Sequence, residues 1–382
     1  MPRVLFVSNG HGEAAIAERI AAEVRAIDAS ASTQHLPLVG EGIPGAHTTV
    51  GPRRAMPSGG LVAMGNVRAF ARDVRAGFPS LWLSQVRFLR RARAAYDSAV
   101  AVGDAYALGM TFIARRPTVF VGTAKSAYVA PYGPFERRML RRAIRAFVRD
   151  RPTADALQAR GIRAEFVGNV IADIHTGGAP AMDGAWIGLL PGSRDAAYRD
   201  AVRLCAVVRE LAASGALASA LLSIAPGVQA DRMAEALGGD GWVVEGGNAP
   251  APFVATQSGA RIVAWSGELG GMLASCVLVV GQAGTANEAA AGAGIPVVAL
   301  EDAATVGADW YRMRQRRLLG DAMTVVPADP ARAADAISAL MADGSALARM
   351  RTAGRERIGP SGAARRIAAE VVTVLQASAV GA

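Results

Sequence analysis

Three times along the chain a short unbroken apolar run ends at a glycine-bearing turn, and helix-forming residues follow at once. The first is "VLFVSNGHGEAAIAERI" (residues 4–20) and the second "AWIGLLPGSRDAAYRDAVRLCAVV" (185–208). The third, "CVLVVGQAGTANEAAAGAGIPVVAL" (276–300), ends in another strand-like run, Pro296 to Leu300. Runs that are apolar throughout, rather than on alternate residues, belong to strands covered on both faces, which is the situation in a parallel sheet flanked by helices. At 382 residues the chain is long for a single core. The pattern therefore predicts an α/β protein with two doubly wound parallel sheets, one per half. The expected domains are 1–170 and 183–358, joined by the Gly- and Pro-rich segment Gly168 to Gly184. A terminal helix over 360–378, with Ser361 as its N-cap, is expected to pack back on the first domain.

Composition narrows the class. Apolar residues make up 52% of the chain, too many for a disordered protein. No run reaches the roughly 18 apolar residues of a membrane span. The first strand begins by Val4 with no apolar leader before it, so a cytoplasmic location is expected. Cys205 and Cys276 are far apart without metal-ligand spacing, and no metal site is predicted.

The net charge is +9, and Lys125 is the single lysine in an arginine-rich chain. Such a balance suits phosphate, anionic lipid or nucleic acid alike. Between Ala55 and Asp97, Met56, Met64, Phe70, Phe78, Trp82, Phe88 and Leu89 are interleaved with arginines. A second basic stretch sets Arg138, Arg141, Arg142, Arg145 and Arg149 at helical spacing. Both fit docking on an anionic bilayer, or equally a solvated helix face over core residues. Nucleic acid is set aside because no aromatic platform accompanies the basic runs.

A glycine turn that opens a helix leaves backbone N–H groups free at the positive end of a helix dipole, where phosphate or carboxylate binds. None of the three turns is a standard nucleotide signature. Gly10 and Gly12 match a dinucleotide fingerprint only in part, and "GTAKS" (122–126) lacks the glycines of a P-loop. His11, at a strand's carboxyl end between Gly10 and Gly12, could act as a general base or a phosphate donor. Glu13 suits a helix start. Glu288, in the first turn after Gly284, could accept two hydrogen bonds from a ribose diol, or serve only as a helix-start charge. Arg194 closes the "LLPGSR" turn, where a guanidinium could neutralise a diphosphate leaving group.

"LLPGSR" followed by "GTANEAAAGAGIPVV" resembles the donor half of lipid-A-disaccharide synthase and, more loosely, the glycosyltransferase of the peptidoglycan lipid intermediate. "SNGHGE", "VGDAYAL" and "VFVGTAKSAYVAPYGPFERR" are closer to the lipid-A-disaccharide synthase-related proteins, and the resemblance spans most of the chain. It implies a GT-B architecture, two Rossmann-like domains facing a cleft that holds a nucleotide sugar, UDP-linked by expectation. It also implies inversion at the sugar with no obligatory metal or cofactor. By position, Glu288 would hold the ribose. Gly284, Thr285, Ala286 and Arg194 would hold the diphosphate, with Gly192, Ser193, Gln282 and Asn287 completing that pocket. His11 and Asp104 would lie on the acceptor side as candidate bases, with Gly10, Gly12, Glu13, Lys125, Ser126 and Tyr128 around the acceptor.

The implied reaction is transfer of a sugar to a lipid or lipid-linked hydroxyl at the inner face of the plasma membrane. Two other readings use the same pocket. One is a sugar-nucleotide epimerase or hydrolase; the other is a nucleotide-sugar-binding protein without catalysis.

Overall fold

The computed structural model describes residues 1–56, 67–175, 179–193, 196–215, 218–301 and 308–380, with the side chains of 11, 67–70, 308–311, 379 and 380 excepted. The chain forms two compact units, one of Met1–Ile174 with Ser361–Ala382 and the other of His175–Pro360.

The first unit contains strands β1 (Arg3–Ser8), β2 (Ser32–Pro37), β3 (Thr48–Thr49), β4 (Ser98–Gly103), β5 (Thr118–Gly122), β6 (Arg145–Phe147) and β7 (Ala164–Glu165). They lie in the order β3-β2-β1-β4-β5-β6-β7, every pair parallel. Its helices are α1 (His11–Ile27), α2 (Val67–Arg75), α3 (Phe78–Arg91), α4 (Ala105–Phe112), α5 (Pro134–Leu140), α6 (Arg151–Gln158) and α7 (Val170–His175). All six residues of β4 and all five of β5 are buried, as continuous apolar runs require.

The basic stretch from Arg137 onward is not one helix. Helix α5 ends at Leu140, and Ala146 and Phe147 are drawn into the sheet as β6, because their burial outweighs a helical arginine periodicity. Of the expected membrane-facing segment, residues 57–66 fall outside the described part. Helix α3 within it buries Leu81, Val86 and Leu89 and leaves Trp82 and Leu83 exposed.

The second unit holds β8 (Trp186–Leu190), β9 (Ser219–Ser223), β10 (Val243–Asn248), β11 (Ala251–Gln257), β12 (Ala260–Trp265), β13 (Cys276–Gly281), β14 (Val297–Leu300) and β15 (Met323–Val326). The helices are α8 (Ala196–Ala213), α9 (Ala230–Gly239), α10 (Leu269–Ala274), α11 (Thr285–Gly292), α12 (Ala308–Leu319), α13 (Pro330–Ala342) and α14 (Gly344–Ile358). The sheet order is β10-β11-β12-β9-β8-β13-β14-β15.

This sheet is not parallel throughout: β10, β11 and β12 pair antiparallel. Two-residue connections leave no room for a crossover helix. Between β11 and β12, Ser258 and Gly259 both have positive φ, 49° and 82°, the geometry that joins tightly twisted strands.

Helix α15 (Ala363–Val380) belongs to the first unit and packs on α1. Ile16, Ile20 and Val24 share a core there with Ile367, Val371 and Leu375, each side chain contributing about 1.5–3 kcal/mol on burial. Ser361 does not cap this helix. Asp173 of α7 does so from across the unit, its carboxylate accepting from Gly362 N at 2.5 Å and Ala364 N at 2.7 Å. A charged acceptor at a helix start offers more than a local hydroxyl.

Candidate active site

Each sheet reverses its winding once, and ligands of open α/β sheets bind at the strand carboxyl ends beside that reversal. In the first unit the reversal falls between β1 and β4. Residues that follow these strands meet there. Asn9 Nδ2 donates to Asp104 Oδ2 at 3.1 Å, and Asp104 Oδ1 caps α4 by accepting from Ala107 N at 3.0 Å. Glu13, in the first turn of α1, accepts from Thr123 Oγ1 at 3.0 Å. The Thr123 carbonyl in turn accepts from the Arg149 guanidinium at 2.8 Å. Thr123 follows β5 and Arg149 follows β6, so four neighbouring strand ends contribute.

Burial sets the protonation behaviour of this cluster. It raises the Glu13 pKa, the Thr123 hydroxyl bond opposes it, nearby Asp104 raises it further, and Arg149 lowers it. Burial likewise raises Asp104, against the pull of the Ala107 N–H and Asn9. The adjacent Tyr106 hydroxyl is pushed up, first by burial and then by Asp104. Two carboxyls above their ordinary range can take a proton from a hydroxyl at neutral pH more readily than an exposed carboxylate.

Of the residues expected around an acceptor, Glu13 and Asp104 come together. Gly10, with φ 125°, precedes α1, and Gly12 is exposed in its first turn. His11 begins the same helix, with its side chain outside the described part. Lys125 instead lies 3.5 Å from Glu136. Ser126 is buried and its hydroxyl accepts from Tyr128 N, so it secures its own loop rather than facing a substrate.

In the second unit the reversal falls between β8 and β13. The two expected turns straddle it and are clasped together: Gln282 N and Ala283 N both donate to Leu190 O, at 2.9 and 3.1 Å. Gly192 has φ 107°, open only to a residue without a Cβ. Ser193 and Thr285 are exposed, Ala286 is half-buried, and Glu288 is largely buried one turn into α11. Arg194 lies outside the described residues.

Asn287 departs from its expected place at the phosphate pocket. It is fully buried, and its amide donates inward to Gly281 O and Gln315 Oε1, each at 3.2 Å. Gln282 likewise sends its amide toward Leu300 O, at 3.4 Å. Both hold the turn from behind. The short polar side chain of Asn287 can satisfy two buried carbonyl-type acceptors that no apolar residue could.

Sequence reasoning passed over several partners. Asn9, Thr123 and Arg149 complete the first cluster, yet they carry no local signal. A buried chain also escaped it: Ser8 Oγ lies 2.8 Å from His35 Nε2, His35 Nδ1 lies 3.1 Å from His47 Nε2, and His47 Nδ1 lies 2.6 Å from Glu18 Oε2. Burial and then His47 push the His35 pKa down to about 3, so this imidazole is neutral. Among the described residues no cluster of His, Cys, Asp and Glu could hold a metal ion, and no helix is long and apolar enough to cross a membrane.

No protein-family model matches the sequence, and no curated protein does. Solved structures do match. A Listeria monocytogenes protein provisionally described as a UDP-N-acetylglucosamine 2-epimerase is 14% identical, with 98% of this chain and 97% of that one covered at a TM-score of 0.62. MurG of Acinetobacter baumannii is 15% identical over 99% and 100%, with a TM-score of 0.57. The Neisseria meningitidis UDP-GlcNAc 2-epimerase, solved with UDP-GlcNAc bound, is 11% identical over 98% and 100%, with a TM-score of 0.55. Likeness at such identity speaks for architecture, and it is the same in each case: the two α/β units of this chain are those of the GT-B fold.

Proposed function

We propose that the protein is a UDP-sugar-utilising enzyme, and specifically an inverting glycosyltransferase acting on a lipid or lipid-linked acceptor. The observation that carries this reading is the clasped pair of turns at the β8/β13 reversal. It leaves the head of α11 at the surface with Glu288 one turn inside. Backbone N–H groups there suit a diphosphate, and the Glu288 carboxylate suits a ribose diol. Arg194 of the adjacent bend would add its charge to the departing UDP.

In the reaction, an acceptor hydroxyl oxygen forms a bond to the anomeric carbon as the bond from that carbon to the UDP oxygen breaks. The hydroxyl proton goes to Asp104 or His11, and the negative charge leaves with UDP. The raised carboxyl of Asp104 supports the first choice. UDP should raise the unfolding temperature of the protein, and Glu288→Ala should remove most of that increase; a variant stabilised as much as the wild type would defeat the assignment.

The exposed Trp82 and Leu83 of α3, a helix that also carries Arg90 and Arg91 in its last turn, support contact with the anionic inner face of the plasma membrane, where a lipid acceptor would lie. Co-sedimentation with phosphatidylglycerol vesicles should be seen at low salt and weaken at moderate salt, and absence at both would remove the membrane from the reading. The epimerase reading keeps one specific support, since two of the three structural neighbours named above carry that description. UDP-GlcNAc incubated with the protein alone decides between them: epimer or free sugar without an acceptor favours the second.

A further inference from the structure

We infer that Gln315, which lies outside every turn discussed so far, is the positioning residue that aims the backbone N–H groups of the α11 head at the diphosphate. The inference rests on the UDP-sugar reading above. Gln315 sits on α12, is almost fully buried, and reaches under the turn that joins β13 to α11. Its Nε2 donates to two successive carbonyls, Ala283 O at 2.8 Å and Gly284 O at 3.1 Å. Its Oε1 accepts from Asn287 Nδ2 at 3.2 Å, and the same Asn287 amide donates to Gly281 O at 3.2 Å. The orientation of the Gln315 amide is thereby fixed. Its oxygen faces an NH₂ group, and only its nitrogen can serve the carbonyls.

The consequence follows from peptide geometry. In a trans peptide the C=O of one residue and the N–H of the next point in opposite directions. Drawing the Ala283 and Gly284 carbonyls toward Gln315 turns the N–H groups of Gly284 and Thr285 away from it, on the side where Thr285 is exposed. Without the brace the Ala283–Gly284 peptide plane loses the Gln315 bond to its carbonyl and the Gly284–Thr285 plane keeps only the 3.2 Å bond from Glu288 N, so the cradle is less ordered before an anion binds. Tight packing keeps the brace in register. A Cβ placed on Gly281 would fall on Asn287 Oδ1, so the glycine there makes room for the amide pair rather than for the ligand.

The test is calorimetric titration of UDP into the wild-type protein, Gln315→Met and Gln315→Glu, with unfolding temperatures recorded without nucleotide. Gln315→Met keeps the length of the side chain and removes both donors; UDP affinity should fall about tenfold or more. Gln315→Glu places a carboxylate against two carbonyls at about pH 8, and its affinity relative to wild type at the same pH should recover as pH falls toward about 5.5, where the protonated acid can donate one bond. A purely packing role would not produce that recovery. If both variants bind UDP as the wild type does, the brace has no part in binding and the inference is wrong.

Hydrogen exchange on the wild type covers the case in which neither variant folds: UDP should slow exchange in the 283–286 segment, and binding without such protection overturns the inference. Failure of the wild type to bind UDP at all would instead strike the functional reading, and this one with it.

Discussion

The strand ends at the two winding reversals share a topology and differ in what they present. At the β1/β4 reversal the junction is made by side chains, Asn9 to Asp104, with a second buried carboxyl, Glu13, beside it. At the β8/β13 reversal it is made by backbone, two N–H groups on the Leu190 carbonyl, with the helix head of α11 next to it. Strand ends of one design thus gather buried carboxyls in one unit and a backbone-clasped helix head in the other. The difference lies in whether charge is supplied by buried acids or by peptide dipoles. Acids must be desolvated to be useful, which costs stability; peptide dipoles need only be held in place.

Three experiments would break or sharpen that contrast. The largest effect belongs to Asp104→Asn. The amide can still cap α4, but it cannot accept a proton, so turnover of UDP-GlcNAc, as transfer or hydrolysis, should fall about 10²–10⁴-fold. The same variant should be more stable at neutral pH. A carboxyl whose folded pKa is raised favours the folded state only while protonated, and it withdraws that stability as pH rises through the raised value. A variant both inactive and less stable would deny the desolvated-acid view.

Next come two glycines, one per unit. Gly281→Ala should cost about 1–3 kcal/mol and weaken UDP binding, since its methyl would displace Asn287. A Cβ at Gly12 meets nothing within 4 Å, so Gly12→Ala should stabilise by up to about 1 kcal/mol, read by chemical denaturation. Equal effects would mean that the second turn is not specially packed.

The smallest effect concerns pH. His35 is held neutral down to about 3, so between about pH 6.5 and pH 3 the unfolded chain binds a proton that the folded one refuses. Stability should fall with pH across that window. His35→Gln should flatten the fall relative to wild type, and an unchanged slope would show that Glu18 and His47 absorb the proton instead.

Much of the architecture was legible because it is written locally. A continuous apolar run, a glycine turn and a helix start are neighbours in sequence, and Trp186 to Leu190 or Val277 to Val280 could be read as strand from that alone. Glu13 and Asp104 were within reach because each lies beside such a run. Their joint chemistry was not, since Asn9 and Asp104 are 95 residues apart and Glu13 and Thr123 are 110 apart. Arg145 misled by its spacing, because a three-residue strand with two buried residues leaves a weaker trace than five arginines do. Asn287 misled differently: its neighbours Ala286 and Glu288 suit a ligand-facing turn, and only the position of Gln315 on α12 shows that Asn287 turns inward.

The attachment of α15 to α1 has a consequence for how the molecule is made. The hydrophobic face offered by Ile16, Ile20 and Val24 is covered by residues that come after Pro360, so it stays incomplete while the whole of His175–Pro360 is being synthesised. The unit that leaves the ribosome first is therefore the last to close its core, whereas the later one is contiguous and can condense as soon as it emerges. The nascent chain keeps that stripe uncovered until those residues emerge, and truncation before Ser361 should leave it open to chaperones and proteases for good.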